Sequence, residues 1–239
     1  MPLGTLYLFP VPLAQEAEHK SYTSFSRTVL LNLREFVVEN EKTARKFIKQ
    51  TGLDIPQQDL IMHDYGKHAR EKVDYKQILR AALLGEDMGL MSDAGCPGVA
   101  DPGALVVAAA HRLGINVVPL VGPSSILLAL MASGFSGQKF AFHGYLPIDK
   151  QARAAKIKEL ESQAKREDQT QLFIETPFRN NALLDELLKS CKAETKLCIA
   201  CNVTGKDEYI RTYTIKNWKD KKPDLHKKPT IFLLYVNAN

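Results

Sequence analysis

A short apolar run, Met88 to Met91, stops abruptly at Ser-Asp-Ala-Gly-Cys-Pro-Gly-Val-Ala-Asp-Pro-Gly, and the stretch from residue 91 to 103 holds three Gly, two Pro and two Asp. A strand that ends this way presents backbone to whatever lies beyond it, because glycine lets main chain approach a ligand closely. In an open α/β sheet the crevice outside the carboxyl ends of the strands is where ligands bind. The same punctuation recurs at Pro119-Leu-Val-Gly-Pro-Ser-Ser125, again between an apolar strand (116–120) and an apolar helix (126–133). Two such loops point to one pocket. Ser124 or Ser125 can cap that helix, whose free N–H groups then serve a carboxylate or hydroxyl brought to the pocket. Taken alone, each loop also fits an ordinary strand-to-helix turn, where Gly and Pro dominate.

The rest of the chain supplies the frame for these loops. Strands are expected near residues 5–9, 35–38, 60–63, 88–92 and 116–120, with helices near 26–33, 43–50, 74–84 and 104–113. That alternation argues for βαβ units. In the 74–84 segment Asp74 can cap, and the apolar positions fall on one face. After Gly122 the texture changes. A helix runs to Ser133, strands follow near 139–143, 171–175, 196–201, 208–215 and 230–236, and helices fall near 151–165 and 181–190. The boundary is placed within residues 119–123, separating an N-terminal α/β domain (1–119) from a C-terminal α/β domain (120–239).

Composition excludes more than it specifies. With 239 residues, 45% of them hydrophobic and 25% charged, the chain reads as an ordinary globular protein with a buried core. Its apolar opening lacks a basic leader region and is broken by Pro10 and Pro12, so it reads as a first strand and not a signal peptide. No run approaches the roughly 20 apolar residues of a membrane helix. A cytoplasmic protein without a membrane partner is expected. Of the four cysteines, Cys198 and Cys201 form a CxxC inside an apparent strand, where an offset of three sends the side chains to opposite faces. Free thiols and no metal are expected. The six histidines, at 19, 63, 68, 111, 143 and 226, show no HxxxH spacing, although His63 and His143 lie at strand ends. None of the 14 glycines lies two residues from another, which rules out the G-x-G of a dinucleotide-binding fingerprint, and a Walker A motif is missing too. A net charge of +5 permits contact with a polyanion without demanding it. Basic residues gather at Lys42, Arg45, Lys46 and Lys49, at Arg153, Lys156 and Lys158, and at Lys219, Lys221, Lys222, Lys227 and Lys228.

Residues 92 to 103 match, with Cys96 in place of Thr, the Ser-Asp-Ala-Gly-Thr-Pro-x-x-x-Asp-Pro-Gly loop of one group of proteins. Val118-Pro-Leu-Val-Gly-Pro-Ser-Ser125 is similar to that group's Val-Pro-x-Pro-Gly-Pro-Ser-Ala. Ser133-Gly-Phe and Phe140-x-Phe-x-Gly-Tyr-Leu-Pro147 follow at its spacing, and Ile174-Glu-Thr-Pro-Phe-Arg179 resembles its Tyr-Glu-Ser-Pro-His-Arg. The chain thereby resembles the tetrapyrrole methylase superfamily of S-adenosylmethionine (SAM) methyltransferases, and within it the ribosomal RNA small subunit methyltransferase I group. The ends depart from the pattern. Leu6-Tyr-Leu-Phe-Pro-Val-Pro-Leu-Ala14 lacks the Gly and Asn of the group's Thr-Pro-Ile-Gly-Asn. Its Glu-Asp-Thr-Arg reads here as Val38-Glu-Asn-Glu-Lys-Thr-Ala-Arg45, and its Arg-Glu-Leu-Thr-Lys as Cys201-Asn-Val-Thr-Gly205, with Lys206 displaced by one.

The resemblance implies two α/β domains with SAM folded into a cleft between them, and no metal. By it, Asp93, Ala94, Gly95, Cys96, Pro97 and Val99 line the amino-acid or ribose end of SAM, and Ser124, Ser125 and Ile126 close the other wall. Leu172, Thr176, Asn202, Val203, Thr204, Pro229 and Thr230 approach the adenine. Transfer to a hydroxyl needs a proton acceptor, for which Asp101, Glu175 and Lys206 are candidates. Asp101 equally fits a turn lock, Glu175 an ion pair with Arg179, and Lys206 a surface lysine. The leading acceptor implied is a ribose 2′-hydroxyl of ribosomal RNA in the small ribosomal subunit, methylated by a homodimer. Methylation of a tetrapyrrole or other small molecule, and a non-catalytic SAM-binding module, stay open as alternatives.

Overall fold

The structure is a computed structural model and describes residues 2–15, 17, 23–52, 54, 56–65 and 73–237; His19 and His68 lie outside the described residues. The chain divides into two compact units, Met1–Ser124 and Ser125–Asn239.

In the first unit the order is β1 (Thr5–Phe9), α1 (Ser24–Asn32), β2 (Glu35–Val38), α2 (Glu41–Gln50), a 3₁₀ turn (Gln57–Asp59) and β3 (Ile61–Asp64). Then come α3 (Tyr75–Ile78), α4 (Arg80–Leu83), β4 (Met88–Met91), α5 (Gly103–Arg112) and β5 (Asn116–Pro119). The five strands form a parallel sheet in the order β3-β2-β4-β1-β5. Strand side chains alternate between faces, and both faces are covered, as a parallel sheet requires. Phe9, Phe36, Val38 and Met91 pack with Val29 and Leu30 of α1 and Phe47 and Ile48 of α2. Leu6, Val37, Met88 and Leu90 pack on the opposite side with Ala81 and Ala82 of α4 and Val106 and Ala109 of α5. Gly89 is obligatory in β4, since a Cβ there would lie 2.4 Å from Cδ1 of the fully buried Phe36.

The single helix expected over 74–84 is two short helices. Asp74 does cap the first, accepting from the Lys76 and Gln77 N–H groups at 3.0 and 3.2 Å. The helical geometry then breaks at Leu79 (φ −102°, ψ 15°), whose side chain is fully buried. Packing at that position overrides the continuous helical pattern.

The second unit runs α6 (Ser125–Ser133), β6 (Phe140–Tyr145), α7 (Lys150–Glu167), β7 (Thr170–Ile174) and α8 (Asn180–Ser190). It closes with β8 (Lys196–Cys201), β9 (Tyr209–Thr214), α9 (Ile215–Trp218) and β10 (Thr230–Tyr235). Its sheet order is β6-β7-β10-β8-β9, with β6 and β7 parallel and the remaining pairs antiparallel. Leu197, Ile199 and Cys201 point into the core formed with α7 and α8, whereas the equally buried Cys198 and Ala200 point to the other face, which α6 covers. The offset of three thus separates the two thiols, and all four cysteines are free. The strand expected over 208–215 ends one residue early, because the Thr214 hydroxyl turns to accept from the Asn217 N–H at 3.3 Å and caps α9. That helix buries Trp218 completely, and its indole N–H donates to the Leu197 carbonyl at 2.8 Å.

Candidate functional site

Within the first unit, three loops gather at the carboxyl ends of β1, β4 and β5. The strand order makes this place a switch point: β1 and β4 are neighbours, yet β1 leads across the sheet to β2 and β4 leads the opposite way to β5. The loop after β1 is tied to the loop after β4 by a two-residue bridge, Val11 N–H to Gly95 O at 2.9 Å and Gly95 N–H to Val11 O at 3.0 Å. The loop after β5 joins them, with the Cys96 thiol 3.4 Å from the Pro123 carbonyl it donates to. Gly122 permits the closest approach, for a Cβ there would fall 2.3 Å from Cβ of Pro10. A fourth loop contributes Glu39, just beyond β2, whose carboxylate accepts the Asp93 N–H at 3.0 Å.

Asp93, Ala94, Gly95, Cys96, Pro97, Val99 and Ser124 therefore belong to one constellation. Asp93, Ala94 and Val99 are exposed, Cys96 and Ser124 half-buried, and Gly95 and Pro97 buried. Gly95 and Gly98 adopt left-handed φ values of +75° and +80°, which L side chains avoid. A Cβ at Gly95 would press on Leu13 at 3.2 Å. This bare backbone suits close approach by a nucleoside carrying an amino-acid tail.

Asp101 locks the far side of the same loop. Its Oδ1 accepts from the Gly103 N–H at 2.6 Å, and both oxygens accept from the Gly98 N–H at 3.0 Å. Burial raises its pKa above the ordinary carboxylate value, against the lowering effect of the Gly103 and Gly98 hydrogen bonds. Beneath it lies a residue that sequence reasoning did not single out. Tyr65 is buried, its hydroxyl donates to the Met91 carbonyl at 3.4 Å, and it sits 3.1 Å from where a Gly103 Cβ would be. Burial drives its phenol strongly upward in pKa, and the carboxylates of Asp101, Glu39, Asp93 and Asp64 add to the effect. A polar-tipped aromatic immediately after a strand was the available signal.

Within the second unit, β7 and β8 end where the antiparallel β10 begins, so their following loops share one rim. Asn202 N–H donates to the Pro229 carbonyl at 2.9 Å, and Thr230 stands opposite Cys201 in the ladder. Asn202 and Thr204 are held in left-handed conformations (φ +48° and +72°). The Asn202 amide donates to Asp207 at 2.6 Å, and the Thr204 N–H to Glu208 at 2.6 Å. Two such non-glycine residues in three positions store strain of the kind found at ligand clamps. Thr176 follows β7 and is half-buried at the same rim. Leu172 is fully buried within β7, and Ile126, expected on the wall with Ser124 and Ser125, is a buried residue of α6. Ser125 is the first residue of α6.

The remaining candidate bases have partners. Glu175, almost wholly buried, accepts from Arg179 at 2.6 Å and from the Thr176 N–H at 2.7 Å. Lys206 is exposed. His63 pairs with Glu35 at 2.5 Å and His143 with Gln171 at 2.7 Å, each tying its strand to the next. Among the described residues no group of three or more His, Cys, Asp or Glu could hold a metal ion, and no helix is long and apolar enough to cross a membrane.

A parallel sheet with glycine loops at its carboxyl ends, followed by a mixed sheet with a strained rim, defines an α/β protein of two sheets without a Rossmann fingerprint. The tetrapyrrole (corrin/porphyrin) methylase family matches residues 29–218, and the chain belongs to that family. It is a methyltransferase, and the family's methyl donor is SAM. Proteins named ribosomal RNA small subunit methyltransferase I are similar over most of the chain. That of Vibrio cholerae is 29% identical over 86% of this chain and 67% of its own. That of Micromonospora olivasterospora is 32% identical over 86% of this chain and 61% of its own, and that of Bacillus subtilis 30% identical over 87% and 67%. Among solved structures, the methyltransferase CobJ superposes with a TM-score of 0.63 at 18% identity, covering 98% of this chain and 95% of its own. Uroporphyrin III C-methyl transferase from Thermus thermophilus superposes at 0.60 with 15% identity, covering 97% of each.

Proposed function

We propose that this enzyme transfers the methyl group of SAM to a ribose 2′-hydroxyl of small-subunit ribosomal RNA, as a cytoplasmic homodimer. The observation that carries the reading is the similarity to proteins named for small-subunit ribosomal RNA, at 29%, 32% and 30% identity. The glycine loops support the cofactor assignment, since they leave backbone groups bare where SAM would lie.

When bound, SAM supplies an electrophilic methyl on a sulfonium, whose C–S bond breaks as the acceptor oxygen attacks in line. In the first unit, Asp93, Ala94, Gly95, Cys96, Pro97, Val99 and Ser124 would orient the donor. In the second, Thr176, Asn202, Val203, Thr204, Pro229 and Thr230 would hold the adenine, with Ser125 at the start of α6 and Leu172 and Ile126 acting from behind as packing. Fixing the reacting atoms in line can remove about 7–11 kcal/mol of barrier. The hydroxyl proton must pass to a base. The candidates for that base are Asp101 and Glu175, which accept hydrogen bonds from their own loops, and Lys206, which is exposed on the loop after β8.

The test begins with calorimetric titration of SAM and S-adenosylhomocysteine. Labelled SAM is then incubated with small ribosomal subunits from a strain lacking this protein. Binding with label in the RNA at a ribose oxygen supports the reading. Label on a base, or transfer only to a small molecule such as a porphyrin, would move the acceptor elsewhere. SAM binding with no transfer would favour a non-catalytic module.

A further inference from the structure

A cavity of about 350 Å³ opens beside the 92–103 loop, lined by Ser92, Asp93 and Ala94, by residues 11–15 after β1 and by α2. Helix α2 is capped by Asn40, whose side chain accepts from the Thr43 N–H at 3.2 Å. It buries Ala44, Phe47 and Ile48, leaving Lys42, Lys46 and Gln50 at i, i+4 and i+8 along an exposed edge. All three line the cavity.

The structure sorts the basic residues of this helix by their partners. The Arg45 guanidinium bonds to Glu41 at 2.8 Å and to the carbonyls of Gln57 and Leu60 at 2.5 and 3.1 Å, so it fastens α2 to the segment before β3. Lys42 and Lys46 have no ion-pair partner among the described residues. In the other basic clusters Lys156 pairs with Glu159, Lys222 with Asp185, and Lys221 and Lys227 lie over the rings of Tyr213 and Phe178; Lys49, Lys158 and Lys219 also have no ion-pair partner among the described residues but do not line this cavity. Two lysines without an ion-pair partner among the described residues therefore line a nucleotide-sized cavity that the loop assigned to the cofactor also lines. Residues at i and i+4 of a helix stand about 5–6 Å apart, a spacing that suits successive phosphates along one strand.

We propose that this cavity seats the sugar–phosphate backbone of the RNA strand that carries the acceptor ribose, with phosphates on Lys42 and Lys46. The inference rests on the reading of the enzyme as an RNA methyltransferase. Backbone contacts of this kind position a strand and set the salt dependence of its binding. Thr43, which also lines the cavity, and Gln50 add neutral hydrogen-bonding groups at its edge.

The experiment uses the full chain with Lys42→Ala/Lys46→Ala and Lys42→Arg/Lys46→Arg, SAM as one probe and small ribosomal subunits as the other. Both lysines are exposed, so folding is checked by thermal melting and expected to be unchanged. Calorimetry should give the same SAM affinity in all forms. The alanine pair should raise KM for the subunits on the order of tenfold with a smaller change in kcat. It should also flatten the log–log salt dependence of RNA binding by about two units. The arginine pair should restore both. Unchanged KM and salt slope in the alanine pair would overturn the proposal while leaving RNA methylation intact. If the wild-type enzyme binds SAM and methylates an anionic porphyrin but no RNA, the functional reading fails first and this inference falls with it.

Discussion

Replacing Asp101 separates a turn lock from a general base, because the two roles predict opposite patterns in the same two variants. The carboxylate accepts from two backbone donors, Gly98 and Gly103, at 3.0 and 2.6 Å. A hydrogen bond to a charged acceptor contributes about 1.5–3 kcal/mol, and a half-buried donor left without one keeps part of its desolvation cost. Asp101→Ala strips both donors, so a loss of about 2–4 kcal/mol is expected, or on the order of 5–15 °C in the melting temperature of a unit this size. Asp101→Asn retains an oxygen at the Oδ1 position, which alone serves both donors, and should lose about 1 kcal/mol.

The pH dependence adds a second readout. Burial holds the Asp101 pKa above its ordinary 3.8 in the folded protein. The unfolded chain therefore releases this proton first as pH rises. Stability contributed by the group falls between the unfolded and folded pKa values and levels off above the folded one. Asp101→Asn should remove that step from a melting-temperature profile across the acid range. Catalysis supplies the decisive contrast. With a turn lock, Asp101→Asn should keep kcat within about threefold and Asp101→Ala should weaken SAM binding. Loss of a general base would instead lower kcat by about 10²–10⁴ in both variants. Such a drop in Asp101→Asn, with stability and SAM affinity unchanged, would refute the structural assignment.

Gly122→Ala should destabilise the first unit by about 1–3 kcal/mol, the usual cost of overpacking, because the new Cβ meets the rigid Pro10 ring at 2.3 and 2.7 Å. SAM affinity should fall with it, as the loops after β1 and β5 are forced apart, and an unchanged melting temperature would show that the two loops do not depend on this contact. Thiol titration at pH 8 should find Cys96 the first to react. Burial, with Asp101 beside it, raises the Cys96 thiol too, and raises Cys191, Cys198 and Cys201, Cys198 up to about 11; Cys96 reacts first because it is half-buried while the other three are buried. SAM should slow the Cys96 reaction if the loop assignment is right, and faster labelling of Cys198 than of Cys96 in the folded protein would contradict the burial argument.

What could be read from the sequence followed from one-dimensional signals. Short apolar runs ending in Gly and Pro marked β4 and β5, and the offset of three in β8 correctly sent Cys198 and Cys201 to different faces. The loop after β4 was legible because Gly95 and Gly98 need left-handed backbone, which only the residue type reveals. What stayed hidden depends on long-range contacts. Nothing adjacent to Val11 announces that it pairs with Gly95, although this bridge is what brings an opening segment lacking the usual Gly and Asn to the same place. Tyr65 and Glu39 are likewise defined by what they touch across the sheet, at Met91 and Asp93. The basic cluster on α2 shows the same limit: spacing identifies four like residues, yet only the partners of Arg45 set one structural cation apart from three lysines, and only the cavity separates Lys42 and Lys46 from Lys49. Charge density along a sequence therefore ranks surfaces poorly until internal pairing has been subtracted. Lys42 and Lys46, without an ion-pair partner among the described residues, are the α2 lysines that also line the cavity beside the glycine loop, which is why the RNA test is directed there.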